Sequence, residues 1–256
     1  MEFAKPISQN LKKFVKSLQS RKERAVSNMF VVEGEKLCGE LLGSDFNVEF
    51  IVVRGGANER ASRIAEEFHR NNTTVYAARS KQFDQMCNTK SPQDIIAVVR
   101  IKEKEIDFSK PFIALDAVND PGNLGTIIRT ADWFGFRHII LGGGAVDKYN
   151  AKTVRASMGS LFRIQVTQSE DLAGFLKKNY PDFEIYAATL TAGKKMEELK
   201  PGAKFGIVFG SEAHGVSREI LDIVSDEFLI EGRGGAESLN VAVSTAVACY
   251  YFSKFI

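Results

Sequence analysis

Residues able to do chemistry gather at three places in this 256-residue chain, each just after an apolar run. The first is Asp120-Pro121-Gly122-Asn123-Leu124-Gly125-Thr126-Ile127-Ile128-Arg129, which follows residues 112–118 and opens a helix. The second is Gly210-Ser211-Glu212-Ala213-His214-Gly215, directly after residues 205–209. The third, Glu237-Ser238-Leu239-Asn240, is reached from a run ending at Ile230 through a Gly/Arg-rich loop, and it leads into a long apolar helical stretch. Strand, glycine loop, helix is the order in which open α/β sheets present ligand sites at the carboxyl ends of their strands. Glycine lets backbone approach a ligand closely, and arginine offers a planar fork suited to phosphate.

Each of these residues also has an ordinary explanation. Ser and Asn are favoured helix N-caps, so Asn123, Ser238 and Asn240 fit a capping role, Glu212 fits a loop brace, and Arg129 fits a solvated helix charge. Other nucleotide sites are excluded by spacing. Gly142-Gly143-Gly144 lacks the third glycine of a dinucleotide fingerprint, where Asp147 stands, and Gly210 and Gly215 are followed by Val216-Ser217 instead of the Lys-Ser/Thr of a P-loop. His214 beside Glu212 lacks the further spaced ligands of a zinc site.

Taken together, the three stretches resemble the SpoU (TrmH-like) family of RNA ribose 2'-O-methyltransferases, within the SPOUT class. Asn123, Gly125 and Arg129 meet the family's Asn-x-Gly-x-x-x-Arg; Gly210, Glu212 and Gly215 meet its Gly-x-Glu-x-x-Gly; Ile230, Gly234, Ser238, Leu239, Asn240 and Val241 meet its third motif. One departure stands out: Glu231-Gly232 replaces the usual Pro-Met pair after the isoleucine. The resemblance implies S-adenosylmethionine as the cofactor, held by Thr189, Leu190, Gly210, Glu212, Gly215, Ile230, Ser238 and Leu239. It implies a catalytic set of Arg129, Asn123, Glu212, Ser238 and Asn240, with Arg129 at the reacting ribose hydroxyl, and it places Arg155 near the RNA. It further implies a trefoil-knotted C-terminal domain and a homodimer formed through it. Ribosomal RNA is the expected substrate, because shorter tRNA-modifying relatives commonly lack the extra N-terminal half. A tRNA 2'-O-methyltransferase, and a non-catalytic RNA-binding or assembly protein motivated by Glu231-Gly232, remain as alternatives.

The elements that must position these residues follow from periodicity. Strand-like and helical patterns alternate throughout, and in the second half they predict a mostly parallel sheet covered by helices. Strands are expected over residues 48–53, 73–77, 95–101, 112–118, 137–141, 161–166, 183–188, 205–209 and 227–230, and helices over 57–69, 80–87, 126–134, 151–157, 170–178 after a Ser169 cap, and 240–252. Residues 102–105 followed by Ser109-Lys110-Pro111 read as a linker, giving domains 1–106 and 107–256. The first resembles the L30e-like α/β substrate-binding domain of longer family members through Arg21-Lys22-Glu23-Arg24, Phe30-Val31-Val32-Glu33-Gly34 and Ser91-Pro92-Gln93, with Asp94 where the family has glycine. Arg21, Lys22 and Arg24 are its candidate RNA contacts.

Composition is that of an ordinary globular protein with a net charge of +2, too small to imply nucleic acid by itself. Lys5, Lys12, Lys13, Lys16, Arg21, Lys22 and Arg24 nevertheless crowd the first two dozen residues, either as a phosphate-contacting face or as a solvated one. Cys38, Cys87 and Cys249 suggest neither a disulfide framework nor a zinc knuckle, and a reducing cytoplasm is expected. Neither a secretion signal nor a bilayer span is expected.

Overall fold

The protein is described by a computed structural model covering residues 2–89, 91–103 and 106–256. It divides into two compact units, residues 1–103 with 149–162, and residues 104–148 with 163–256. Lys104 and Glu105 of the expected linker lie outside the described residues.

The first unit contains β1 (Lys5–Pro6), α1 (Gln9–Ser17), α2 (Arg21–Ser27), β2 (Met29–Glu33), α3 (Glu35–Leu42), β3 (Val48–Arg54), α4 (Glu59–Arg70), β4 (Thr74–Ala78), α5 (Ser80–Asp84) and β5 (Ile95–Arg100). Its sheet runs β1-β4-β3-β5-β2, with β5 antiparallel to both neighbours and the remaining pairs parallel. One face packs Val15 and Leu18 of the α1 region and Phe83 and Met86 of the α5 region against Val31, Phe50, Val52, Ile96 and Val98.

The second unit contains β6 (Phe112–Asp116), α6 (Pro121–Trp133) and β7 (His138–Leu141). The chain then passes through α7 (Ala151–Ala156) and returns as β8 (Gln165–Gln168), α8 (Leu172–Asn179), β9 (Glu184–Ala188), β10 (Phe205–Gly210), α9 (Arg218–Leu221), β11 (Asp226–Phe228) and α10 (Val241–Phe252). All six strands are parallel in the order β11-β9-β10-β6-β7-β8. Continuous apolar runs such as Phe-Ile-Ala-Leu in β6 and Ile-Ile-Leu in β7 suit strands covered on both faces. Phe112, Ala114, Ile140, Ala187 and Val208 meet α8 and the α9 region on one face. From the other helix layer, α10 sends Phe252 to the Phe205 ring, 5.7 Å away.

Several expectations need correction. Residues 149–162, read as part of the second half, pack with the first unit: the Tyr149 ring lies 4.4 Å from Phe30, and that of Phe162 lies 5.5 Å from Phe46. Leu161 and Phe162 belong to a 3-10 turn, Ser160–Phe162, and not to the strand that follows. Helix α8 is capped by Asp171, whose carboxylate accepts from the Gly174 N–H at 2.8 Å, while the hydroxyl of Ser169 is spent donating to the Asp171 carbonyl. Helix α6 begins five residues before the expected Thr126, because Asp120 caps it and Pro121 takes the first position, where its missing N–H costs nothing. No helix among the described residues is long and apolar enough to cross a membrane.

Candidate active site

Strand order reverses beside β6. The chain moves outward from β6 through β7 to β8, then crosses to β9 and returns β10 to the other edge of β6. At such a switch point neighbouring strands send their following loops apart, leaving a crevice at their carboxyl ends. Asp116, the last residue of β6, is in register with Gly210, the last of β10, so the first two motifs emerge side by side.

Asn123 sits one turn into α6, and its N–H is held by the Asp120 carboxylate at 2.8 Å, so Asn123 is not the cap. Its side chain is thereby free to reach sideways. Its amide Nδ2 donates to Glu212 Oε1 in the glycine loop, and its Oδ1 accepts from Asn240 Nδ2 at 3.1 Å. Residues 89 and 117 positions downstream in sequence thus meet on one amide. Asn240 is also the α10 N-cap, its Oδ1 accepting from the Ala242 N–H at 3.0 Å. Capping and site-building were rival readings of Asn240; the two ends of one amide do both.

Gly210 has no alternative. A Cβ there would stand 1.9 Å from the Gly215 carbonyl carbon, because the loop folds back on itself with the Gly215 N–H donating to the Ser211 carbonyl at 2.9 Å. Gly215 itself has φ +68°, which glycine adopts without strain. Thr189, after β9, ties its loop to β11 through its N–H to the Phe228 carbonyl at 3.0 Å and its hydroxyl to Glu227 Oε2 at 2.7 Å. Leu190 and Leu239 are 65% and 47% exposed, leaving bare apolar surface on the loops after β9 and β11. Ile230 is half-buried, whereas the stretch from Glu231 to Asn240 is exposed throughout, and Ser238 makes no hydrogen bond among the described residues. Glu231 turns its carboxylate to Lys195 Nζ at 2.8 Å, so the charge that departs from the family pattern is neutralised by the neighbouring loop. Exposed apolar side chains beside a backbone-walled loop fit a nucleoside-bearing cofactor such as S-adenosylmethionine.

Arg129 lies on α6, exposed, its side chain without a hydrogen bond or ion pair among the described residues. It does not meet Glu212, which is engaged by Asn123. Arg21 and Lys22 are exposed on α2. Arg24, expected beside them at the RNA, is instead 4% exposed, and its Nη1 donates to the Leu18 and Gln19 carbonyls at 2.8 Å each. It finishes the carboxyl end of α1 and is withdrawn from the RNA-contacting set; its place one turn after the exposed Arg21 gave no sign of this. Arg155 is half-buried in the first unit with its Nη1 3.9 Å from Glu33 Oε2 and without a hydrogen bond. Sequence reasoning also missed Asp116 and Asp120. The Asp-Pro step at 120–121 was the available signal for a capped helix start.

An all-parallel sheet whose order reverses where three loop-borne motifs meet on one amide defines a SPOUT-type methyltransferase domain. Residues 110–250 match the SpoU rRNA Methylase family, and residues 10–97 match the MRM3-like substrate binding domain. The chain is 33% identical over 245 residues to the 23S rRNA (guanosine(2553)-2'-O)-methyltransferase RlmP of Bacillus subtilis, covering 92% of this chain and 93% of that one. It is similar to a Porphyromonas gingivalis structure assigned to the TrmH family of RNA methyltransferases, with 34% identity, a TM-score of 0.83, and 95% and 97% coverage. In fold it is also like AviRb of Streptomyces viridochromogenes solved with AdoMet, with a TM-score of 0.87 at 22% identity over 96% and 98% of the two chains. The chain belongs to the SpoU rRNA methylase family. Its family is one of RNA methylases.

Proposed function

We propose that the RNA is ribosomal, and that the methylated hydroxyl is presented between Arg129 and the loops after β9, β10 and β11. The observation that carries the site is the amide of Asn123 joining Glu212 and Asn240, since it assembles all three motifs while leaving Arg129 free on the same helix. Support for a ribosomal substrate is the presence of both units in a chain matched along nearly its whole length by a 23S rRNA enzyme.

When bound, the cofactor supplies a methyl group activated on a sulfonium. What remains for this chain is positioning, which is where most of the rate of such an in-line displacement resides. Thr189, Leu190, Gly210, Gly215, Ile230, Ser238 and Leu239 hold the cofactor, Glu212 bracing its loop through Asn123. Arg129 acts as a charged clamp on the phosphate beside the target ribose and favours alkoxide character at the hydroxyl. A guanidinium titrates above ~12, so it does not serve as a free base near neutrality. Asn123 and Asn240 fix the geometry of the three loops. Ser238, with no partner among the described residues, is available to phosphate or ribose. Arg21, Lys22 and Arg155 are the candidate RNA contacts of the first unit. Glu231, part of the departure that motivated a non-catalytic reading, has its charge paired with Lys195.

We further read the chain as a cytoplasmic homodimer, joined through the C-terminal unit and with its cofactor loops knotted as in the family. Return of β10 between β9 and β6 is compatible with such threading. The substrate assignment is tested by mapping ribose methylation in RNA from cells with and without this protein. Loss of one methylated ribosomal nucleotide is the expected result; loss confined to tRNA, or no change in any RNA, would overturn it.

A further inference from the structure

We propose that Asp116 is a positioning residue that clamps the glycine loop of the cofactor site, closing a ring through both of the first two motifs. The proposal rests on reading the loop at residues 210–215 as part of that site. Asp116 ends β6 opposite Gly210, so its backbone fixes the point where the loop leaves the sheet. Its carboxylate fixes the point where the loop returns: Oδ2 accepts from the Ser217 N–H at 2.7 Å, across 101 positions of sequence. Ser217 is the N-cap of α9 and makes no side-chain cap bond, and α9 spans only four residues, so the helix supplies little anchorage of its own.

Between these two anchors Glu212 reaches Asn123, which lies seven residues beyond Asp116 on α6. The circuit from Asp116 along the chain to Asn123, across to Glu212, along the loop to Ser217 and back to the Asp116 carboxylate is therefore closed. The residue after the clamp, Ala117, has φ +58°, a left-handed conformation unfavourable for a residue with a Cβ. Such a turn persists where its surroundings over-determine it. Without the carboxylate the Ser217 N–H loses its partner and the loop is held at one end only.

The test uses the full chain and calorimetric binding of S-adenosylmethionine beside steady-state kinetics. Asp116→Asn keeps an oxygen acceptor at the same place and is expected to bind within about twofold of the parent. Asp116→Ala is expected to weaken cofactor binding about tenfold and raise the cofactor KM in step, with the KM for RNA unchanged. Asp116→Glu moves the carboxylate outward by one methylene and is expected to fall between them, which keeps the test decisive if the alanine variant does not fold. Parent-like binding by both the alanine and glutamate variants, or equal losses in the alanine and asparagine variants, would overturn the clamp. Gly210→Ala, whose Cβ meets the Gly215 backbone, is the reference for the site itself. If it abolishes binding while Asp116→Ala and Asp116→Glu both bind like the parent, only the clamp falls; if it binds normally, the site reading falls and the clamp with it.

Discussion

Asn123 lies where a helix cap is expected and does something else, because Asp120 has already satisfied its N–H. Side-chain roles in such loops are settled by which neighbour caps first, a competition between residues three positions apart. Arg129 then gains its importance by having no partner. On α6, where Asn123 and Thr126 are hydrogen-bonded and Asp132 is paired with Arg137 and Arg163, a guanidinium without a partner among the described residues is ready for a phosphate fork. Arg129→Lys keeps the charge and loses the fork, so kcat is expected to fall about 100-fold, the range seen when one oriented transition-state donor is removed, while cofactor affinity stays within about twofold. Undiminished turnover would take Arg129 out of the mechanism. His138 is the residue-scale counterpart in the core. Burial holds its pKa down at about 4, and its two ring nitrogens lie 2.6 Å from the Tyr180 hydroxyl and 3.1 Å from that of Thr167. A histidine depressed on folding contributes stability above its unfolded pKa of about 6.5, and that contribution drains away as pH falls toward the folded value. Unfolding free energy is expected to drop by about 2 kcal/mol between pH 7 and pH 5 from this group. The drop should vanish in His138→Gln; a variant with the parent's pH dependence would refute the assignment.

At the scale of elements, the segment that carries α7 matters most. Tyr149, Leu161 and Phe162 are buried in the first unit, although residues 148 and 163 on either side belong to the second. Deleting residues 1–106 therefore does more than remove the proposed RNA-contacting residues: it strips these side chains of their cover, at roughly 1.5–3 kcal/mol for each large apolar group. The remaining fragment is expected to melt well below the intact protein or to aggregate, as read by thermal unfolding and size-exclusion chromatography. A monodisperse fragment melting with the parent would show that the segment refolds onto its own half. The sequence disclosed the parallel strands well, since runs such as those of β6, β7 and β10 are apolar at nearly every position and only two-sided burial explains that. It could not disclose which core residues 149–162 enter, because an apolar side chain looks the same whichever sheet it covers. Arg24 failed for the same reason, its carbonyl partners being backbone groups that every residue has. The three motifs were legible because site chemistry demands particular side chains, whereas the bond from Asp116 to Ser217 needs only a carboxylate and an N–H brought together by the fold.

At the scale of the whole molecule, α10 and the end of α6 present an apolar surface, separate from that of the loops after β9 and β11, that the described residues leave uncovered. Helix α10 buries Val241, Ala242, Thr245, Ala248, Cys249 and Phe252, yet leaves Val243 48% and Tyr250 63% exposed on another face. A helix serving only its own core needs a single apolar stripe, so the second asks for a second partner. The surface continues onto α6, where Phe134 lies 6.1 Å from the Tyr250 ring and the neighbouring Trp133 is 83% exposed. A contiguous run of exposed apolar side chains is the kind of surface that association covers. Because Arg129 lies one turn before Trp133 on α6, a second copy seated there would bring its own residues close to the reacting hydroxyl. A stable twofold homodimer is therefore expected at micromolar concentration by light scattering. Trp133→Glu combined with Tyr250→Glu should shift it to monomer and lower turnover, with the cofactor loops left intact. A parent protein that is monomeric and still methylates RNA would remove both the interface and the sharing of the site between subunits.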